Sequence, residues 1–242
     1  AYGEDDFYTC KEAGLSLVDP LDESACFTSK AKELEGLSFK EADKKICQLL
    51  KEKNLLLKHD TLVHSYPFDE RTDTPLIYRA VPSWYVAVEK IAKQLIANNQ
   101  QINWVPSHLK DGRMGKWLEN ARDWAISRNR FWGTPLPIWV CDKDRSHLEV
   151  MDSAEALEKK VGKQVTDLHL HHVGSLSYTC PHCGGTMRSE QLVFDCWFES
   201  GSMPYAQRHY PFNKNSGFSE SFPADFIAEG LDQTRGWFYT LN

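Results

Sequence analysis

A strand, a glycine turn and a helix follow one another near the end of the 242-residue chain, and this order constrains the fold more than any other feature. The apolar residues 226–228 predict a buried strand, which breaks at Glu229 and Gly230. A helix is expected to begin at Asp232 and to carry Trp237. Ligands of α/β sheets bind where strand ends meet helix N-termini, so this turn is a candidate ligand site.

The composition excludes several classes of protein. Hydrophobic residues make up 41% of the chain, no apolar run is long enough to span a membrane, and no signal peptide is recognisable. A net charge of −6 argues against a protein that coats nucleic acid electrostatically, but not against a local tRNA-binding face. Seven cysteines at irregular spacing favour a reducing compartment, so we expect a cytoplasmic protein.

Hydrophobic periodicity and capping residues predict several helices and strands. The first expected helix runs from the capping box Ser38-x-x-Glu41 to about Asn54, and the second from an N-cap at Ser83 to Asn98. A third carries Trp117, Ala121 and Trp124 on one face, and a fourth runs from 153 to 160 and is ended by Gly162. The expected strands, besides 226–228, are 55–57, 135–140 and 191–194.

The sequence from Cys180 to Cys183, followed by two glycines, is typical of one half of a zinc knuckle. A closed tetrahedral site needs two more ligands. Cys141 is one candidate, and either Asp144 or His147 would supply the last. A degenerate knuckle that no longer binds metal explains the same residues equally well.

Two other groups have a metal interpretation. The alternation around His169 and His171 predicts that both lie on one face of a strand, with His172 next to them. No cysteine lies within this run, so we interpret it as a solvated strand or loop. Cys196 stands next to Trp197 and is expected in the core, because free cysteine is among the most buried residue types.

Three blocks in this order resemble the middle of a class I aminoacyl-tRNA synthetase of the Ile/Val/Leu subgroup: Trp117–Trp139, Val193–Gly201 and Ala228–Tyr239. The segment Ser-Arg-Asn-Arg-Phe-Trp-Gly-Thr-Pro within the first block is similar to isoleucyl rather than valyl members, and Asn129 to the eukaryotic-type ones. The resemblance covers essentially the whole chain.

This resemblance implies an α/β fold assembled from parts of several domains. Residues 1–82 would be the C-terminal part of a mixed-sheet editing domain (CP1), and residues 83–140 the return to the catalytic body. Residues 141–222 would be an inserted module with the zinc-like knuckle, and residues 223–242 the start of the second half of a Rossmann-type catalytic domain.

The resemblance also implies a function. The intact enzyme would activate isoleucine with ATP and Mg²⁺, charge tRNA(Ile) and hydrolyse mischarged Val-tRNA(Ile), as a monomer. The alternatives are a valyl or leucyl enzyme, or an inert fragment that binds tRNA or a partner protein. The family's ATP signatures, His-x-Gly-His and Lys-Met-Ser-Lys, do not occur in these 242 residues. The chain is therefore expected to be an internal portion, cut at both ends, that is inactive alone.

By the same resemblance, the aminoacyl-adenylate side would be lined by Glu229, Gly230, Asp232 and Gln233, with Trp237 as a wall of the side-chain pocket. Carboxylates can hold an α-ammonium, and an indole face packs on an aliphatic side chain. Taken locally, the same residues are equally typical of an ordinary helix N-cap and a core tryptophan.

The editing residue implied by the resemblance is Asp6, in the segment Gly3-Glu-Asp-Asp. It would anchor the α-ammonium of a wrongly attached amino acid. Editing is needed because one missing methylene is worth only about 1–3 kcal/mol in discrimination, for which isoleucyl enzymes are themselves the usual example. An acidic surface turn is the alternative interpretation of these residues.

Overall fold

The computed structural model describes residues 3–213 and 215–242. It combines helices with β-strands, which confirms the α/β class. Backbone proximity divides the chain into two compact units, Ala1–Pro82 and Ser83–Asn242. Within the described ranges, no helix combines the length and the apolar character that a membrane crossing requires.

The α-helices of the described residues are α1 (Glu4–Glu12), α2 (Phe39–Glu52), α3 (Ala92–Gln101), α4 (Gly115–Glu119), α5 (Ala154–Val161), α6 (Leu170–Val173), α7 (Cys196–Ala206), α8 (Phe218–Ser221) and α9 (Trp237–Leu241). The strands are β1 (Tyr85–Val86), β2 (Trp124–Ala125), β3 (Ser127–Arg128), β4 (Ile138–Cys141), β5 (Leu148–Val150), β6 (Ser177–Thr179), β7 (Thr186–Ser189) and β8 (Val193–Phe194). Shorter 3-10 segments are Ser29–Leu34, Val88–Ile91, Ser107–Leu109 and Leu231–Arg235, and Lys110–Met114 is a π-helical turn.

The first unit contains the predicted capping box at the start of α2. The Ser38 hydroxyl accepts a hydrogen bond from the Glu41 backbone N–H (3.3 Å), and the Glu41 carboxylate accepts one from the Ser38 N–H (3.0 Å). The helix ends at Glu52, and Asn54 follows with φ of +55°, a conformation that asparagine tolerates. Both predicted ends of this helix are therefore confirmed.

The strand expected at 55–57 is wrong, and so is the mixed sheet expected for the first unit. Among residues 3–82, β pairing is limited to isolated bridges, Leu21 with Phe27, Cys26 with Ser38 and Phe68 with Pro75. Leu57 is fully exposed. An apolar run becomes a strand only when a neighbouring strand accepts its backbone hydrogen bonds, and the described part of this unit offers none.

The second unit is built on an antiparallel sheet in the order β5-β4-β7-β6. All four residues of β4 are buried, which confirms the extended chain predicted here. Trp139 and Cys141 face one apolar cluster, and Ile138 and Val140 face another. The unbroken apolar run of β4 thus reflects a strand covered on both faces.

Helix α5 covers one face of this sheet through the buried Leu157. Its predicted ends are confirmed. The Ser153 hydroxyl accepts from the Ala156 N–H (3.1 Å), and Gly162 closes the helix with φ of +71°. Glycine suits this position because a left-handed residue with a Cβ would be strained.

The second predicted helix differs from the prediction at both ends. Ser83 is no N-cap, because the chain first forms β1, which pairs with β2. Asn99 does not stop α3 but is fully buried within it. Its amide is satisfied there, donating to the Lys110 carbonyl (2.9 Å) and accepting from the Trp104 indole (2.8 Å). A paired amide can be buried at little cost, which sequence pattern alone does not reveal.

Trp124 does not lie on the helical face predicted for it, because its strand pairs with β1. Trp124 lies in β2, while α4 ends at Glu119. The strand predicted at 191–194 is confirmed over its second half as β8, which pairs with β3.

Three further expectations are wrong. Residues 226–228 form no strand, and Phe226 is 83% exposed. Cys196 is exposed rather than in the core, because Asp195 caps α7 and leaves Cys196 in its first turn. His169 and His171 do not share a strand face, because His169 is the residue before α6.

The last segment of the chain packs on the helical part of the second unit. The buried Thr234 hydroxyl accepts from the Arg113 guanidinium (2.8 Å) and donates to the Leu231 carbonyl (2.7 Å). The Asn242 amide donates to the Leu95 carbonyl (2.9 Å). The bonds from Arg113 and to Leu95 join residues more than 100 positions apart, and they hold the segment that carries the candidate adenylate residues.

The Glu149 carboxylate should make the stability of the second unit depend on pH. It accepts hydrogen bonds from Lys160 (2.6 Å) and Tyr178 (2.7 Å), and these lower the pKa of Glu149 below its ordinary value. The contribution of the ionised Glu149 to the free energy of unfolding is therefore full above the unfolded-state pKa of about 4.3. It is lost as the pH falls through the lower folded-state pKa. We expect Glu149→Gln to cost about 1 kcal/mol at pH 7 and almost nothing at the lowest pH at which both proteins fold.

Urea denaturation over a series of pH values measures this difference. Glu119→Gln, at the exposed end of α4, is the matched control and should run parallel to the wild type. A Glu149→Gln curve that also runs parallel to the wild type would show that the carboxylate contributes no stability.

Asp195 should stabilise the junction of β8 and α7. It is buried, its carboxylate accepts from the Trp197 backbone N–H (2.9 Å), and it pairs with the Arg128 guanidinium. We expect Asp195→Ala to lower the free energy of unfolding by about 2 kcal/mol, since both the cap and a charge-assisted bond are lost. Asp195→Asn keeps the cap and should lose about half as much. Equal losses for the two variants in urea denaturation would contradict this division.

Candidate metal centre and candidate substrate-binding residues

Two adjacent loops of the sheet carry the candidate metal ligands. The end of β4 supplies Cys141 and the loop that follows supplies His147, and the Cys141 N–H donates to the His147 carbonyl (3.0 Å). The loop from β6 to β7 supplies Cys180 and Cys183, closed by the Cys180 N–H on the Gly185 carbonyl (2.7 Å). Because β4 and β7 are hydrogen-bonded neighbours, the two loops lie side by side.

The ligand atoms of these four residues all lie within 4.8 Å of one another. The Cys141 and Cys183 sulfurs are 3.5 Å apart, and the Cys180 sulfur is 3.8 Å from the His147 Nδ1. Zn–S bonds of about 2.3 Å and Zn–N bonds of about 2.0 Å require separations of roughly 3.5–3.8 Å between tetrahedral ligands. Three thiols and one imidazole at these separations fit a structural zinc ion.

Glycine is needed where the second loop passes the first. A Cβ on Gly185 would lie 2.8 Å from the Cys141 sulfur, closer than the two atoms can approach. Gly184 has φ of +68°, which a residue with a Cβ rarely adopts. The two glycines that marked this turn in the sequence therefore bring the sulfurs together.

The pKa values of two of the thiols are shifted in opposite directions from that of a free cysteine. Burial raises the pKa of Cys141, but the N–H groups of Asp144 and Lys143 and the neighbouring thiols outweigh it and lower this pKa to about 7. For Cys183 the Gly185 N–H lowers the pKa, but the Cys141 thiol and burial raise it by more. Since the thiolate is the form that binds a metal, the lowered pKa of Cys141 favours metal binding near neutral pH.

His147, rather than Asp144, lies among the sulfurs. Asp144 accepts from the Ser146 N–H (2.9 Å) and hydroxyl (2.7 Å), and its other oxygen is 3.6 Å from the His147 Nε2. Metal-ligating histidines commonly pair their second ring nitrogen with a carboxylate, which orients the ring. The sequence left the fourth ligand open between these two residues because spacing does not reveal which side chain turns inward.

The candidate adenylate residues lie at the start of the 3-10 segment Leu231–Arg235. Glu229 and Asp232 are exposed, and Gly230 precedes the segment. A Cβ on Gly230 would lie 2.5 Å from an Asp232 carboxylate oxygen, so glycine lets this carboxylate fold back over the turn. Two carboxylates thus face solvent at one end of a well-anchored segment.

Gln233 connects this turn to Trp237. Its amide nitrogen donates to Asp232 (2.9 Å), and its oxygen accepts from the Trp237 backbone N–H (3.0 Å). The Trp237 indole donates to the Ser200 carbonyl in α7 (3.0 Å). Gln233 therefore fixes both the carboxylate and the backbone that carries the indole.

Trp197 is a neighbour of this group that the residue pattern did not single out as part of it. A Cβ on Gly236 would lie 3.1 Å from the Trp197 ring, and this indole is 42% exposed. A large, partly exposed aromatic ring beside Gly236 can contact an apolar ligand. The aromatic residue in the second resemblance block was the available signal, but only folding brings α7 against residues 236–237.

Asp6 lies in the first unit, in the first turn of α1, and is exposed. The segment expected to be a turn is thus the start of a helix, with Gly3 as its N-cap residue. Its role as an α-ammonium anchor stays a prediction.

Comparison with known proteins gives high similarity along the whole chain. The isoleucine–tRNA ligase of Bdellovibrio bacteriovorus is 55% identical over 242 residues, that of Protochlamydia amoebophila 54% over 241, and the cytoplasmic enzyme of Arabidopsis thaliana 52% over 248. Each match covers all of this chain but only 23%, 23% and 21% of the relative, so the chain spans less than a quarter of their length. Bacterial and plant enzymes are similar to almost the same degree, so the eukaryotic type expected from Asn129 stays a prediction.

The family model described as tRNA synthetases class I (I, L, M and V) matches residues 20–242. This range includes both candidate sites of the second unit and begins within the first. The chain therefore belongs to the class I tRNA synthetases.

Proposed function

We propose that the chain is a portion of an isoleucine–tRNA ligase. The observation that carries the proposal is the identity of 52–55%, over the whole chain, with proteins of that name. The complete enzyme would activate isoleucine, transfer it to tRNA(Ile) and hydrolyse mischarged Val-tRNA(Ile). ATP, with its Mg²⁺, would supply the adenylyl group.

The geometry around residues 229–237 supports a role in holding isoleucine. The exposed carboxylates of Glu229 and Asp232 are suited to an α-ammonium, and the indoles of Trp197 and Trp237 to an aliphatic side chain. Gln233 would act as a positioning residue, because its amide is engaged with both Asp232 and the Trp237 backbone.

The remaining assignments follow from the same proposal. Residues 1–82 would belong to the editing domain, with Asp6 as the α-ammonium anchor of the misacylated substrate. Residues 83–140 and 223–242 would belong to the catalytic body and its Rossmann-type half, and residues 141–222 to the inserted module. The plant relative is named a cytoplasmic enzyme, which supports a cytoplasmic location, and the enzyme would act as a monomer.

Amino-acid-dependent exchange between ATP and pyrophosphate tests this function in the complete protein that contains the chain. Isoleucine should support exchange much better than valine. We expect Asp232→Asn to raise the KM for isoleucine by about tenfold or more, because a charge-assisted bond to the α-ammonium is lost, and to leave the KM for ATP nearly unchanged.

Asp225→Asn removes a carboxylate from the same exposed stretch and is the matched control. It should behave like the wild type. Exchange with valine or leucine but none with isoleucine would contradict the proposed substrate, and an equal effect of the two variants would contradict the role of Asp232.

We further propose that Cys141, His147, Cys180 and Cys183 hold a structural zinc ion. Such an ion would join the two loops of the sheet and leave no coordination position for chemistry, as is usual for four-ligand protein sites. The ligand separations and the close approach permitted by Gly185 support this proposal over a degenerate knuckle.

Replacing one ligand should remove the zinc. We expect Cys183→Ser to lose this equivalent of zinc and, at a free zinc concentration 100-fold above the dissociation constant, about 2.7 kcal/mol of stability. Metal analysis and thermal unfolding with and without a chelator measure both effects. Cys196→Ser, another exposed cysteine of the same unit, is the control. Equal zinc content in the two variants would mean that this cluster does not hold the metal.

A further inference from the structure

A second group of potential metal ligands surrounds α6, and it shares no residue with the zinc knuckle. It consists of Asp167, His171 and His172, whose ligand atoms all lie within 4.8 Å of one another. Neither the proposed activity nor the family resemblance uses these side chains.

The Asp167 carboxylate is held in a fixed orientation. Its Oδ1 accepts a hydrogen bond from the His169 backbone N–H (2.8 Å) and lies 2.7 Å from the His169 Nδ1. These contacts direct the second oxygen, Oδ2, to a point 3.2 Å from the His172 Nε2. A carboxylate that is oriented by one oxygen and open at the other is arranged as metal-ligating carboxylates are.

The two imidazoles come from neighbouring residues of the same short helix. The ring centroids of His171 and His172 are 4.3 Å apart, and the ring planes are tilted by 47°. Both side chains are exposed, so an ion can reach them from solvent. Together with Asp167 they offer two nitrogens and one oxygen on one side of a single ion.

Aromatic stacking limits the freedom of His171 and of the neighbouring His169. His171 stacks on Phe131, with centroids 6.0 Å apart and planes within 18°, and His169 stacks on Trp132 at 4.4 Å. Phe131 and Trp132 precede β4 and are themselves 78% and 65% exposed. Ligands whose orientation is already restricted lose less entropy when an ion binds.

We propose that Asp167, His171 and His172 form a second metal site, which takes a divalent first-row transition cation such as Zn²⁺. Two imidazoles and one carboxylate suit such ions, whereas Mg²⁺ and Ca²⁺ prefer oxygen ligands. Three protein ligands leave at least one coordination position for water or for a group of another molecule. The site therefore differs from the closed knuckle in both ligand type and accessibility.

Equilibrium dialysis of the purified protein against Zn²⁺ tests the site by stoichiometry. The wild type should bind one equivalent more than the double variant His171→Ala/His172→Ala. His108→Ala, which removes an exposed histidine of the same unit, should bind as much as the wild type. Cys183→Ser should lose the zinc of the knuckle but keep the zinc of the Asp167 site, so the two bound equivalents can be distinguished.

Asp167→Asn provides a second variant that keeps the shape of the side chain and a carbonyl oxygen for the His169 N–H. We expect this variant to lower the affinity of the Asp167 site for Zn²⁺ by about tenfold or more, while circular dichroism shows an unchanged fold. If wild type, double variant and Asp167→Asn bind the same amount of Zn²⁺, the cluster is only an Asp–His ion-pair network and the proposal is wrong. Because only the difference between variants is measured, this outcome does not depend on the function proposed for the chain.

Discussion

Burial of β4 on both faces is the constraint on which the second unit depends. The strand is hydrogen-bonded to β5 on one side and to β7 on the other, and its residues alternate between two apolar clusters. The strand is shared by both clusters, because Trp139 and Cys141 belong to one and Ile138 and Val140 to the other. The strand ends at Cys141, so the same burial also fixes the first ligand of the zinc knuckle.

Polar side chains join the parts of the unit that the sheet does not reach. Arg128 and Asp195 connect β3 with the start of α7, and Arg113 and Thr234 connect the π-helical turn with the segment before α9. Asp195 and Thr234 are buried. Buried polar groups are costly unless they are paired, so each of these bonds is available only in the folded arrangement and favours it over alternatives.

Apart from Asp6, which lies in α1, the candidate sites lie at the ends of regular elements or in the short segments between them. The knuckle occupies two neighbouring loops of the sheet, and the Asp167 cluster precedes and includes a single helical turn. The adenylate residues lie on and around the 3-10 segment Leu231–Arg235. Loops supply side chains in varied directions, while the rigid elements beside them fix their positions. In the knuckle the sheet register provides this rigidity, and at residues 232–237 the Gln233 amide does.

Local signals in the sequence were sufficient for α2, α5 and β4. A capping box, a Ser N-cap with a closing glycine and an unbroken apolar run each act over a few residues, so no distant partner is needed to interpret them. The family resemblance and three of the knuckle ligands were also available from the sequence.

Tertiary structure decided the features that depend on partners distant in sequence. Residues 55–57 and 226–228 are apolar enough for strands but have no neighbouring strand in the described chain, whereas Trp124 pairs with β1 and so leaves its predicted helix. The path of the β4–β5 loop turns His147 rather than Asp144 toward the sulfurs. The formation of α6 brings His172 to Asp167. Spacing identifies which residues can bind a metal, but the direction of each side chain is set by hydrogen bonds that the linear sequence does not contain.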